Sequence, residues 1–187
     1  MKAFYLAIIL CATTLVTLAQ DASVEKSTSG VQTGILGIWG HNEYKLSNST
    51  VLRSEIGLDA GAFSDNLEDG SLFILLPLLS LEPRWYYNLN KRVSKSRRID
   101  GNSGNFISIK TAYHPDLVIG HVPDHLNFIS DLSIIPTWGI RRNIGNHFNY
   151  ETAIGIGYIH FFKEENVNLK YTNSVSANIH LRIGYRF

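Results

Sequence analysis

Val175-Ser176-Ala177-Asn178-Ile179-His180-Leu181-Arg182-Ile183-Gly184-Tyr185-Arg186-Phe187 closes the chain. Every odd position in this stretch is apolar and every even position is polar or glycine. A period of two belongs to an extended strand, whose successive side chains point to opposite sides. A soluble antiparallel sheet also alternates, so the stretch takes its meaning from what surrounds it.

Earlier segments repeat the pattern. From His147 to Phe162, Phe148, Tyr150, Ile154, Ile156, Tyr158 and Phe162 oppose Asn149, Glu151, Ala153, Gly155 and Gly157, with aromatics near both ends. From Phe128 to Arg142, Phe128, Leu132, Ile134, Pro136, Trp138 and Ile140 oppose Asp131, Ser133, Thr137, Gly139 and Arg141. Pro136 weakens that segment as a ladder strand, because it has no N–H to give. Leu72 to Asn90 and Ser49 to Phe63 alternate too, and Val31 to Leu46 and Asn105 to Tyr113 read less cleanly as strands. This makes seven strands, one short of the even number a closed single-chain barrel takes. The eighth is expected within Asp21 to Gly30, or from a break inside Leu72 to Asn90.

The terminal strand resembles that of the outer-membrane β-barrel proteins of Gram-negative bacteria. These end in an alternating strand closed by an aromatic, commonly Phe, which the barrel-assembly machinery reads. The resemblance covers Ile179 to Phe187 at every alternate position and, in length, the small, roughly eight-stranded members of the class. It implies an all-β fold, a closed antiparallel transmembrane β-barrel of about eight strands. It also implies outer-membrane lipid around the wall, the assembly machinery as a partner during biogenesis, and Tyr185 and Phe187 as the assembly signal.

The N-terminus is consistent with that address. Lys2 is the only charge before Asp21, Ala3 to Val16 is largely apolar, and Thr17-Leu18-Ala19 offers a small-x-small cleavage site. The apolar run falls short of the ~20 residues a spanning helix needs. The expected organisation is therefore a signal peptide over residues 1–19 cleaved near Ala19, a short polar segment over 20–30, and a barrel domain over 31–187. The single cysteine, Cys11, leaves with the signal, so the mature chain has no disulfide to form in an oxidising compartment. Seventeen basic against sixteen acidic residues gives no pull toward nucleic acid.

Alternation assigns one set of side chains to the lumen: Arg53, Glu55, Asp59, Glu82, Arg84, Lys110, Asp131, Arg141, Glu151 and Arg182. Five acids against five bases imply a filled, mutually neutralised interior. An eight-stranded barrel has room only for its own side chains or one small ligand. A structural or surface-interaction role is the reading this favours. A narrow pore would need more strands or a lumen of one charge sign.

The third alternative is a lipid-modifying or surface-proteolytic enzyme. The loop from His114-Pro115-Asp116 to His121-Val122-Pro123-Asp124-His125, with Ser130 and Ser133 nearby, has the residue types of nucleophilic catalysis or a metal site. Its spacing matches no such framework, and no histidine is followed two residues later by serine, as in outer-membrane lipid A deacylases. A solvated turn of Pro, Asp and His explains it equally. The expectation is no catalytic set, no metal and no cofactor. The basic run Lys91 to Arg98, with five Lys or Arg in eight residues, reads as a solvated connection on the same side as the C-terminus; on the outer side it could instead hold lipopolysaccharide phosphates.

Overall fold

The computed structural model describes residues 22–63, 72–120, 128–162 and 172–187. The signal peptide expected over 1–19 lies outside the described residues, as do His121, Asp124 and His125 of the candidate loop. Eight strands follow in chain order: β1 (Ser27–Gly34), β2 (Gly37–Lys45), β3 (Thr50–Phe63), β4 (Leu72–Tyr86), β5 (Gly104–His114), β6 (Asp131–Ile144), β7 (Phe148–Phe161) and β8 (Asn173–Arg186). Each pairs antiparallel with its sequence neighbours, and β8 pairs with β1 to close the barrel.

The missing strand comes only in part from an expected place, because just the first half of β1, residues 27–30, lies within Asp21 to Gly30. Val31 to Leu46 is two strands, β1 and β2, joined by the tight turn Gly34-Ile35-Leu36-Gly37. Gly37 has φ +144, a conformation L side chains rarely adopt, and the Thr33 hydroxyl donates to its carbonyl at 3.1 Å. The break escapes a sequence reading because the turn tip is Ile35-Leu36, with none of the Asn, Asp or Pro that usually marks a turn. β1 also takes in residues 27–30, so the wall begins at Ser27 rather than Val31. Leu72 to Asn90 stays unbroken only to Tyr86, after which Leu89–Val93 forms a short helix, α1.

Pro136 is accommodated rather than excluded. On one side it sits opposite Ile109 of β5. On the other the β6–β7 pairing lapses at Ile135 and Pro136 and resumes in the same register, Ile134 opposite Tyr158 and Thr137 opposite Gly155. The missing N–H interrupts one ladder without shifting it.

Three layers fill the interior. At the end that carries the C-terminus, Ala22 and Val24 pack with Val51, Tyr86, Leu89, Phe106 and Ala153 into an apolar plug. The segment before β1 is stitched there by Val24 N–H to the Asn48 carbonyl, Ala22 N–H to Asn90 Oδ1 and Glu25 N–H to Asn102 Oδ1. Toward the opposite end Trp39, Leu78 and Ala112 make a second apolar cluster. Between the two lies a layer of charge.

Candidate functional site: a charged layer inside the wall

Strand register builds this layer. Glu43 of β2 stands opposite Arg53 of β3, which stands opposite Glu82 of β4. On the other half of the barrel Arg141 of β6 stands opposite Glu151 of β7, which stands opposite Arg182 of β8. An acid–base–acid row therefore faces a base–acid–base row, and cross-strand opposite charges on one face are mutually favourable.

Contacts across the lumen join the rows. Arg141 Nη1 donates to Glu43 Oε1 at 2.6 Å, and the same oxygen accepts from Arg84 at 3.2 Å and Arg53 at 3.3 Å. Tyr86 Oη and Asn102 Nδ2 complete the Glu43 carboxylate. Arg84 forks onto both Glu151 oxygens at 2.9 and 2.8 Å and onto Glu82 at 2.8 Å, the planar two-point geometry that suits guanidinium to carboxylate. Arg53 and Arg182 both donate to Glu55 Oε2, at 2.7 and 2.8 Å, with Lys110 Nζ 3.7 Å from the other oxygen. Two guanidiniums also stack on rings: Arg84 lies 4.1 Å from the centroid of Phe106 and Arg182 lies 3.8 Å from that of Trp39. Arg53, Arg84, Arg141, Glu43 and Glu151 are almost wholly removed from solvent.

The ten charged residues singled out from alternation all fall on the inner face, eight of them in this layer. The centre of the network, Glu43, was not among them. Its strand was hidden in the undivided stretch Val31 to Leu46, and Trp39, a large apolar residue on the inner face, broke the expected polarity of β2. A phase counted from Gly37 would have found Trp39, His41 and Glu43 together. Gln32 was missed for the same reason. Its amide accepts from Arg53 at 2.7 Å and donates to Asn149 at 2.9 Å.

The other two, Asp59 and Asp131, meet nearer the far end, where they hold His114 between them. His114 Nδ1 is 3.0 Å from Asp131, Nε2 is 3.3 Å from Asp59, and Trp39 Nε1 donates to the other Asp59 oxygen at 2.6 Å. His114 thus leaves the histidine-rich loop and belongs to the lumen. Both ring nitrogens are engaged by carboxylates, and the Ser133 hydroxyl donates to the Ala112 carbonyl at 3.4 Å. Among the described residues no hydroxyl or thiol hydrogen-bonds to His114, as acyl or peptide transfer would require of a nucleophile and its base. Among the described residues no three His, Cys, Asp or Glu side chains gather as metal ligands.

At the terminal end, outside the charged layer, Arg98 forks onto Asp100 at 2.8 and 2.7 Å. That hydrogen bonding, with one from Asn143, holds the Asp100 carboxyl below its usual range. Arg186 joins Glu25 at 2.7 Å and ties the last strand to the segment preceding the first. No family model matches this chain, and no curated protein or solved structure matches it either.

Proposed function

We propose that this chain is an integral outer-membrane protein of Gram-negative type, exported by a cleaved signal peptide, and that its closed barrel acts as a membrane-anchored structural or surface-interaction scaffold. One observation carries the reading: the polarity of the barrel is inverted. Charged side chains fill the inside, while Ile56, Trp85, Trp138, Ile154, Ile156, Ile179, Leu181 and Ile183 stand exposed on the outside. In water that arrangement leaves an apolar surface far larger than soluble monomers tolerate. In lipid it is the expected one, because closure satisfies every backbone group and the wall meets hydrocarbon. The turn tip supports the same environment, since Ile35 at 87% exposure faces outward with no protein cover.

A scaffold is favoured over a channel by the packing of the lumen, where guanidinium–carboxylate pairs cross from wall to wall between two apolar clusters. It is favoured over an enzyme by the commitment of both His114 nitrogens to aspartates. Cell fractionation with boiled and unboiled electrophoresis tests the membrane reading. The expected result is recovery with the outer membrane and a heat-dependent mobility. Recovery as a soluble periplasmic protein indifferent to boiling would overturn it. In planar bilayers the folded protein is expected to give no steady conductance.

A further inference from the structure

We propose that Arg92, Arg97 and Arg142 form a site for the phosphate of an anionic glycerophospholipid headgroup at the terminal-end rim of the barrel. The inference rests on the membrane reading above and adds a ligand to it.

Arg142 points outward from β6, between Ile140 and Ile144 along the strand and opposite Tyr150 of β7. Asn105, which accepts from Arg142, donates to Tyr87 Oη at 3.3 Å, and Trp138 Nε1 donates to the same hydroxyl at 2.9 Å. The cation therefore sits where the apolar belt gives way to aromatics, the level at which a bilayer presents its headgroups. The Arg142 guanidinium is held by neutral acceptors alone: the Gly104 carbonyl at 2.7 Å, its neighbour's carbonyl at 2.6 Å and Asn105 Oδ1 at 2.5 Å. Arg92, just past the end of β4 in α1, is pinned by two donations to the Arg98 carbonyl at 3.0 and 2.8 Å. Arg97 is exposed and donates its backbone N–H to the Arg92 carbonyl at 2.9 Å, while Asn105, which accepts from Arg142, gives its own N–H to Asn88 Oδ1 at 2.8 Å, at the start of the turn that leads to Arg92.

Three like charges are thus drawn together. Among the described residues none of the three has a carboxylate within ion-pair distance, although Arg98 and Arg186 nearby are each paired. Like charges at such range repel, and carbonyl acceptors orient a guanidinium without neutralising it. The described residues supply no counter-charge. A phosphate suits it, because guanidinium offers a fixed fork of donors and two of the three side chains are already immobilised. A lipid is the source the location favours, since its acyl chains would lie along the adjoining belt.

The test reconstitutes the full mature protein in phosphatidylcholine vesicles and measures association of spin-labelled phosphatidylglycerol against spin-labelled phosphatidylcholine. The wild type is expected to prefer phosphatidylglycerol by roughly tenfold, falling as about 0.5 M NaCl screens the charges. R97Q/R142Q should bring the two lipids near parity. R97Q alone, which removes an exposed side chain with no side-chain partner among the described residues, should lose part of the preference even if the double variant folds poorly. An inserted wild type with no preference, or a preference unchanged in R97Q, overturns the proposal. Inorganic phosphate competing as well as the lipid would overturn the assignment to a lipid. A protein that fails to insert at all would overturn the membrane reading itself, and this proposal with it.

Discussion

On β8, Ile179, Leu181 and Ile183 stand outward at 65, 60 and 58% exposure, while His180 and Arg182 on the same strand are at 9 and 3%. Neighbouring residues one peptide apart face opposite sides of the wall, and the one shielded from solvent is the polar or charged one. Burying an ion costs several kcal/mol unless it is paired and hydrogen-bonded, so the inner face needs exact partners. The outer face needs only apolar bulk. The two faces should therefore respond differently to substitution: the inner face to the loss of a single atom, the outer face to charge alone.

The largest effect is expected at the hub. Glu43→Gln leaves Arg53, Arg84 and Arg141 sharing a neutral amide, and removing one partner of a buried pair costs on the order of 3–5 kcal/mol. A fall in the urea midpoint of the folded form in detergent would register it. A midpoint within error of the wild type would mean that the inner face does not depend on pairing. Ile183→Arg tests the outer face, at about 2–4 kcal/mol if the residue lies near the bilayer midplane and little if it lies at an interface. Ile183→Leu at the same site should be nearly silent.

A smaller effect belongs to packing of the inner wall. A Cβ on Gly139 would lie 2.3 Å from Phe106 Cζ, so Gly139→Ala must displace the ring that carries Arg84. Overpacking of this kind costs about 1–3 kcal/mol. The smallest effect is expected at Ser29 on the outer face, whose hydroxyl accepts from Asn42 at 2.8 Å. Ser29→Ala should change stability by no more than about 0.5 kcal/mol. A large loss there would show that the outer face, too, depends on specific partners.

The same contrast explains what the sequence disclosed. Where a strand keeps strict polarity, as β8 does, alternation alone assigns each side chain to its face. It does so for Arg53, Glu55, Glu82, Arg84, Arg141, Glu151 and Arg182 as well. It fails where local chemistry departs from strict alternation of apolar and polar faces. Ile35-Leu36 makes an apolar turn, Trp39 puts an apolar ring inside, and Tyr86, Phe106 and Leu89 turn into the terminal plug. Each departure hides a partner: the turn hid the start of β2, and with it Glu43. The Asp59–His114–Asp131 group was illegible for another reason. It joins the ends of three strands, β3, β5 and β6, and sequence spacing says nothing of which strand ends meet in a barrel until register and closure are known.

The central claim, that lipid meets the apolar face and never the charged one, is tested most directly with the three tryptophans. Trp85 and Trp138 lie on the outer face at 51 and 42% exposure, and Trp39 lies inside at 3%. Single-tryptophan variants reconstituted with phospholipid brominated high on the acyl chain should show strong quenching of Trp85 and Trp138 and almost none of Trp39. Equal quenching of all three, or quenching of Trp39 alone, would contradict the account.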